Sequence, residues 1–216
     1  DYLVRQTHLG PVATAFCFAR DGEQVALKRI PTAELDRETI EAALGMWRAR
    51  DAEAFLAAVP DWRFPSCNMG FGDREGKIGY QTLAAVPIRS EHALEAGRCA
   101  HQGTASRYDW QGIVPYDLLP HVLNPGRGYL SSGNHRAIES WYPISFGIVT
   151  GGGGDTVRSW RLRELLEARD RYTPEDVLEV HHDSVNPARR DIVRLGLHLR
   201  DTLKRELSQD AMQALE

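Results

Sequence analysis

One asparagine among glycines, Asn68 in the run Ser66-Cys67-Asn68-Met69-Gly70-Phe71-Gly72, is the side chain best suited to act on a ligand. A strand interior disfavours asparagine unless its amide finds a partner. The neighbouring glycines leave room for a second backbone or a ligand to come close. An asparagine so placed is a candidate to offer its NH2 to a bound group. Ser66 and Cys67 are the adjacent groups with nucleophilic chemistry. The cysteines Cys17, Cys67 and Cys99 have no metal-site spacing and no C-x-x-C, so they read as buried or half-buried thiols.

Three other patterns invite function and carry less. His8, beside Gly10-Pro11, reads as a histidine that satisfies loop backbone. The glycine run Gly151-Gly152-Gly153-Gly154 is followed by Asp155 and Thr156, without the lysine that a phosphate-binding loop needs, and reads as a flexible loop. In His181-His182-Asp183-Ser184 the adjacent histidines point to different helix faces, and a metal would need a further ligand from elsewhere.

The elements that must hold Asn68 follow from local pattern. Phe71, Ile78 and Tyr80 favour strands and Asp73-Arg74-Glu75-Gly76 makes a polar turn, so residues 66–80 read as a β-hairpin with a fixed cross-strand register. Residues 1–30 read as short strands at 2–4, 12–16 and 24–28, with a hairpin turn at Asp21-Gly22. Over residues 32–59 the period becomes helical. Leu35, Ile40, Ala43, Leu44 and Trp47, then Phe55, Leu56 and Val59, form stripes expected to pack in the core, and Pro60 ends the run. Residues 90–150 read as loop-rich scaffold in which Trp110 anchors, Pro115 and Pro120 fix φ, and Gly112 and Gly128 turn corners.

Residues 157–207 read as helices. The first points Trp160, Leu162, Leu165 and Leu166 inward and Arg158, Arg161, Arg163 and Glu164 largely outward. The second starts at Thr173-Pro174-Glu175-Asp176, with Thr173 as cap. The third, from Ala188, carries Ile192, Leu195, Leu199 and Leu203 on one face.

A length of 216 residues suits one large domain or part of a bigger one. With 42% apolar residues, 26% charged and a net charge of −4, nothing marks a nucleic-acid or anionic-lipid partner. No apolar run reaches the ~18 residues a membrane span needs. The chain opens on Asp1-Tyr2-Leu3 and reads as cut from something longer.

The pattern N-x-x-x-x-D-R-x-G-x-I-G-Y, as Asn68, Asp73, Arg74, Gly76, Ile78, Gly79 and Tyr80, resembles the penicillin acylase (penicillin amidase) family of N-terminal-nucleophile hydrolases. Further matches are D-W-x-G-x-x-P-x-x-x-L-P from Asp109 to Pro120 and N-P-x-x-G-Y from Asn124 to Tyr129. Thr7-His8-Leu9-Gly10-Pro11-Val12 resembles the family's T-x-H-G-P-V element, with Leu9 as an extra residue that suggests a small bulge. Ser131–Arg136 matches a family segment carrying an asparagine pair, but His135 replaces the second asparagine, and Asn134 is expected to satisfy loop backbone. Asp183 and Ser184 loosely resemble a family helix ending.

The resemblance implies an α+β fold, part of an Ntn-hydrolase αββα sandwich with a helical C-terminal segment, in which residues 1–216 are an internal fragment of the large (β) subunit. It makes Asn68 an oxyanion-hole donor and places Arg89, just after Pro87, beside the active site. It implies cleavage of the side-chain amide of penicillin-like or other N-acyl compounds. In the family the attacking serine opens the large subunit, and its α-amino group, with an ordinary pKa of roughly 7.7–8.0, serves as base. Asp1 cannot be that nucleophile, so the fragment alone is expected to be catalytically silent.

The partners implied are a small-molecule N-acyl substrate and the remainder of the parent protein, including the small subunit. The location implied is the periplasm or the exterior. No cofactor is assigned, and for the calcium held by some members no ligand is placed on these residues. Two other readings stand beside this one. An N-acyl homoserine lactone acylase would be separated by a hydrolysis panel of phenylacetyl and fatty-acyl amides. A non-catalytic binding or structural domain would lack an encoded serine after a cleavable upstream linker.

Overall fold

The computed structural model describes residues 3–14, 22–30, 37–93, 99–136, 138, 141–144, 146, 154–203 and 213. The chain divides into two compact units, residues 1–130 with 137–149 and residues 131–136 with 150–216. It is mixed α and β, with small sheets of two and three strands among the described residues.

The first unit opens on a tight hairpin, β1 (Gln6–Thr7) against β2 (Gly10–Pro11), followed by a bridge from Val12 to Ala26. Leu9 sits in the two-residue turn, so the expected bulge is instead the turn itself. Thr7 satisfies that turn: its Oγ1 accepts from the Leu9 N–H at 3.2 Å and donates to the Gly10 carbonyl at 2.9 Å. His8 stands exposed there, and its expected role falls to the threonine. Leu3 and Val4 are exposed and belong to no strand. Residues 15–21, with Cys17 and Asp21, and residues 31–36, with Leu35, lie outside the described residues.

Helices α1 (Arg37–Arg48) and α2 (Ala52–Ala58) follow. Asp51 caps α2 by accepting from the Ala54 N–H at 2.7 Å. The two helices approach at small residues, where a Cβ on Gly45 would lie 3.0 Å from the Ala58 Cβ. α1 therefore buries Thr39 and Ala42. The stripe expected in the core is left outside: Ile40, Leu44 and Trp47 are 54%, 39% and 77% exposed.

The hairpin forms as expected and ends three residues later, at Leu83. β3 (Cys67–Gly72) pairs antiparallel with β4 (Ile78–Leu83), from Cys67 opposite Leu83 to Gly72 opposite Ile78. Asp73 locks its turn. The carboxylate accepts from the N–H groups of Glu75 and Lys77, each at 2.9 Å, and from that of Ala52 at 3.2 Å, which ties the turn to the start of α2. The period of two then sorts the faces. Cys67, Met69 and Phe71 pack against Phe55, Val59 and Leu83, with the Phe55 and Phe71 rings 4.6 Å apart. Asn68, Gly70 and Gly72 project to the opposite, exposed face.

Two strands emerge from the stretch expected to be loop-rich. β5 (Pro87–Arg89) pairs with β6 (Trp110–Ile113), and β7 (His121–Leu123) pairs with β4. Both partners are distant in sequence, which local composition does not reveal. Asn124, at φ 49°, ends the β4–β7 ladder: its N–H donates to the Ile78 carbonyl at 2.8 Å and its Oδ1 accepts from the Ile78 N–H at 3.1 Å. Lys28 lies 5.1 Å above the Trp110 ring and pairs with Asp109 at 3.1 Å, which fixes the expected anchor.

The second unit holds α3 (Val157–Leu166), α4 (Pro174–His182) and α5 (Pro187–Leu203). Capping boxes start α3 and α4, Thr156 with Ser159 and Thr173 with Asp176. Ser159 is buried against Gly133, where a Cβ would meet the Ser159 nitrogen at 2.8 Å. α3 keeps its expected orientation at Leu162, Leu165 and Leu166, which are half-buried, and at Arg158, Arg163 and Glu164, which are exposed, and departs from it at two residues. Trp160 is 47% exposed, and Arg161 points inward to Asp183. Ile192, Leu195 and Leu199 share an exposed face of α5. Gly151, Gly152 and Gly153 lie outside the described residues.

Candidate active site

The sheet β3–β4–β7 presents Asn68, Thr82 and Tyr80 on its exposed face. Asn68 stands directly opposite Thr82. The Thr82 N–H is engaged on the far side, donating to the Pro120 carbonyl at 2.8 Å, so Asn68 and Thr82 form a non-hydrogen-bonded pair, the kind whose side chains approach more closely. The Thr82 hydroxyl donates to Asn68 Oδ1 at 3.0 Å and lies 3.4 Å from the Tyr80 hydroxyl.

With Oδ1 occupied, the NH2 end of the Asn68 amide is the end turned to incoming groups; among the described residues it donates to none. Space for such a group exists. A Cβ on Gly70, two residues along the same face, would meet nothing within 4 Å. Behind the sheet, Leu83 and Val59 are fully buried, so the amide is mounted on a packed element rather than on a loop.

Burial pushes the Tyr80 phenol above its ordinary pKa, against a smaller downward pull from Thr82, so it stays protonated and able to donate at neutral pH. Burial likewise pushes the Cys67 thiol up, which leaves it a poor nucleophile. Cys67 packs on the core face as a half-buried free thiol. Cys99 is a free thiol too, but exposed, contrary to the burial expected of it. Ser66 is exposed just ahead of β3.

Arg89 lies on β5, opposite Trp110, in a different sheet of the same unit. It is half-buried, and desolvation lowers its pKa, yet a guanidinium remains charged there. The structure thus joins Asn68 to Thr82 and Tyr80 and keeps Arg89 on a neighbouring element. Thr82 and Tyr80 escaped the reading of residue types. Their signal was the hairpin register, which places the residue fourteen positions after Asn68 across from it.

The remaining candidates have other occupations. Asn134, at φ 57°, accepts from the Arg158 guanidinium, so its amide oxygen binds a side chain and not loop backbone. The Asp183 carboxylate is gripped by Arg161 at 2.8 and 2.7 Å and also accepts from the Val185 N–H at 3.2 Å, while the Asp183 backbone N–H closes α4 on the Val180 carbonyl. His181 and His182 are exposed, and no group of three His, Cys, Asp or Glu able to hold a metal occurs among the described residues.

Asn68 lines neither of the following two clefts among the described residues. One of about 250 Å³ runs along Trp62, Arg63, Ala84, Ala85 and Tyr116 in the first unit. The other, of about 420 Å³, lies between α3 and α4 in the second. Among the described residues the Asn68 face is an open platform without walls of its own.

The penicillin amidase family model matches residues 1–216. The penicillin acylase 2 proenzyme of Pseudomonas sp. (strain SE83) is 24% identical over 187 residues, 87% of this chain and 23% of that protein. The acyl-homoserine lactone acylase QuiP of Pseudomonas fluorescens is 31% identical over 140 residues, 64% of this chain and 17% of that protein. Penicillin G acylase of Escherichia coli is 29% identical over 113 residues, 52% of this chain and 13% of that protein. A solved thermostable penicillin G acylase from Alcaligenes faecalis matches with a TM-score of 0.68 at 23% identity, covering 98% of this chain and 36% of that one, and so shares its fold. The chain spans less than a quarter of the length of these curated relatives.

Proposed function

The chain belongs to the penicillin amidase family, and from that premise we propose that it is the oxyanion-stabilising part of an N-acyl amidohydrolase working by an N-terminal nucleophile. The observation that carries this reading is the Asn68 amide, whose oxygen is held by Thr82 and whose NH2 faces an open, rigidly backed surface. On attack at an acyl carbon the carbonyl oxygen becomes an anion. A preplaced amide N–H then strengthens its hydrogen bond as charge develops, which lowers the barrier by about 2.7–4 kcal/mol per donor.

The nucleophile on this reading comes from outside these residues, and the segment by itself is silent. The raised thiol of Cys67 fits that division. The missing walls of the site fit it too: the small subunit and the rest of the large one would close the platform around the substrate. Arg89 contributes a fixed positive charge near the site. The proposed substrates are penicillin-like or other N-acyl compounds. The likeness to an acyl-homoserine lactone acylase favours a second reading in which the acyl group is fatty and the amine a lactone. Turnover of phenylacetyl against fatty-acyl amides by the complete enzyme separates the two. Export to the periplasm or exterior is part of the proposal; the described residues include no helix long and apolar enough to cross a membrane.

In the complete, processed enzyme, Asn68→Ala is expected to lower kcat by about 10²–10³ with KM and Tm little changed. Because Asn68 is exposed and buries no apolar group, its loss leaves the fold intact. An unaltered kcat would remove the oxyanion assignment.

A further inference from the structure

We propose that Thr82, backed by Tyr80, is the positioning residue that sets which end of the Asn68 carboxamide meets the reacting acyl group. The proposal rests on the oxyanion reading of Asn68 and adds a device to it.

An asparagine amide is nearly symmetric in shape, with an acceptor at one end and a donor at the other. An oxyanion hole built from it works in one orientation only. Turned over, Oδ1 would face the developing negative charge and repel it. Something must therefore hold the amide against a flip, and among the described residues no packed wall does so.

The cross-strand threonine supplies the hold. A hydroxyl carries one proton and can give it to one acceptor while accepting from another donor. Thr82 Oγ1 lies 3.0 Å from Asn68 Oδ1 and 3.4 Å from the Tyr80 hydroxyl. When Tyr80 donates to Thr82 Oγ1, the Thr82 proton is directed to Asn68, and only the oxygen end of the amide can receive it. The chain of protons runs from Tyr80 to Thr82 to Asn68 and fixes the NH2 outward.

The backbone beneath is itself immobilised. The Thr82 N–H donates to Pro120, and the Thr82 carbonyl accepts from Nε2 of the buried Gln81 at 3.0 Å. Thr82 also has the branched side chain that a strand favours, and branching at Cβ restricts the χ1 settings open to its hydroxyl.

The test uses the complete processed enzyme. Thr82→Val keeps the shape and removes the proton, and is expected to lower kcat roughly three- to tenfold, the rate equivalent of one neutral hydrogen bond, with KM unchanged. Thr82→Ser, which keeps the hydroxyl, is expected to restore most of the rate. Because Thr82 acts through Asn68, Thr82→Val placed on Asn68→Ala is expected to add no further loss. Tyr80→Phe, a smaller change with a smaller expected loss, gives an independent reading should the valine variant fail to fold.

A Thr82→Val enzyme with normal kcat overturns the proposal, as does a loss in the double variant that multiplies the two single losses. Should Asn68→Ala itself leave kcat intact, the oxyanion reading fails first and this proposal with it. The two failures are therefore distinguishable.

Discussion

In the first unit the hairpin carries an amide whose NH2 end has no partner among the described residues, whereas in the second the Arg161 guanidinium is held by Asp183 at 2.7 and 2.8 Å and by Glu164 at 2.9 Å. Arg190 grips the same Glu164 at 2.8 and 3.2 Å, so one ionic chain links α3, α4 and α5. The difference separates two uses of a polar side chain. A saturated network resists rearrangement and suits a scaffold. A donor that acts on a transition state must be fixed in place yet unsatisfied until charge develops. On the proposed function the hairpin would carry the chemistry and the helices the support.

The sharpest test of the first half of that contrast is the rigidity beneath the donor. Gly79 lies opposite Phe71, and a Cβ there would sit 2.1 Å from Cζ and 2.5 Å from Cε2 of the ring. Gly79→Ala must push Phe71 out of its contact with Phe55, at an expected cost of about 1–3 kcal/mol. Hydrogen exchange in β3 and β4 of the complete enzyme should quicken, and kcat should fall although Asn68 is unchanged. A loosened hairpin with full activity would mean that the donor does not depend on its mounting.

The second half is tested at Asp183. Its side chain is 16% exposed and that of Arg161 23%, so the pair is partly shielded from water. Asp183→Ala removes both bonds to Arg161 and the one accepted from the Val185 N–H at 3.2 Å. The expected loss is about 1–2 kcal/mol of local stability, between the values for exposed and buried pairs. Exchange should rise in α3 and α4 while kcat holds. A fall in kcat without loosening would give the helical unit a part in the chemistry and break the contrast.

These two units also differ in how far the sequence declares them. The hairpin was legible because its turn chemistry is local: Asp73 and Gly76 sit where a turn needs them, and Asn68 is conspicuous in a strand. The Thr173 cap was legible for the same reason. Thr82 was hidden only because its contact with Asn68 follows from the register and not from its type. β6 and β7 were missed since their partners, β5 and β4, are remote in sequence. Arg161 reads as an outward charge until Asp183, twenty-two residues on, turns it inward. Ile40, Leu44, Trp47 and Trp160 have the spacing of core residues, but spacing does not say which surface covers them.

Acid gives the gentlest probe, and it discriminates by unit. Glu164 accepts from Arg190 and, next in weight, from Arg161, and together these outweigh a desolvation that opposes them; its carboxyl is pushed down to about 2. Asp155, Asp176 and Asp183 are depressed as well, so four carboxylates of the second unit are held below their ordinary range. Among the described residues of the first unit only Asp73 is, where the N–H groups of Lys77, Ala52 and Glu75 prevail over desolvation. A folded pKa below the unfolded one gives stability that is fully present above the unfolded value, near 4.3 for Glu, and is lost as pH falls through the folded value. Between about pH 4.3 and about 2, protection factors in α3–α5 should therefore decline sooner than those in β3 and β4. Glu164→Gln should lower protection of the helices at neutral pH and make the decline shallower, not abolish it, because the three aspartates still titrate. If the hairpin loosens first, or the glutamine variant keeps the full slope, the ionic chain is not what holds the helical unit together.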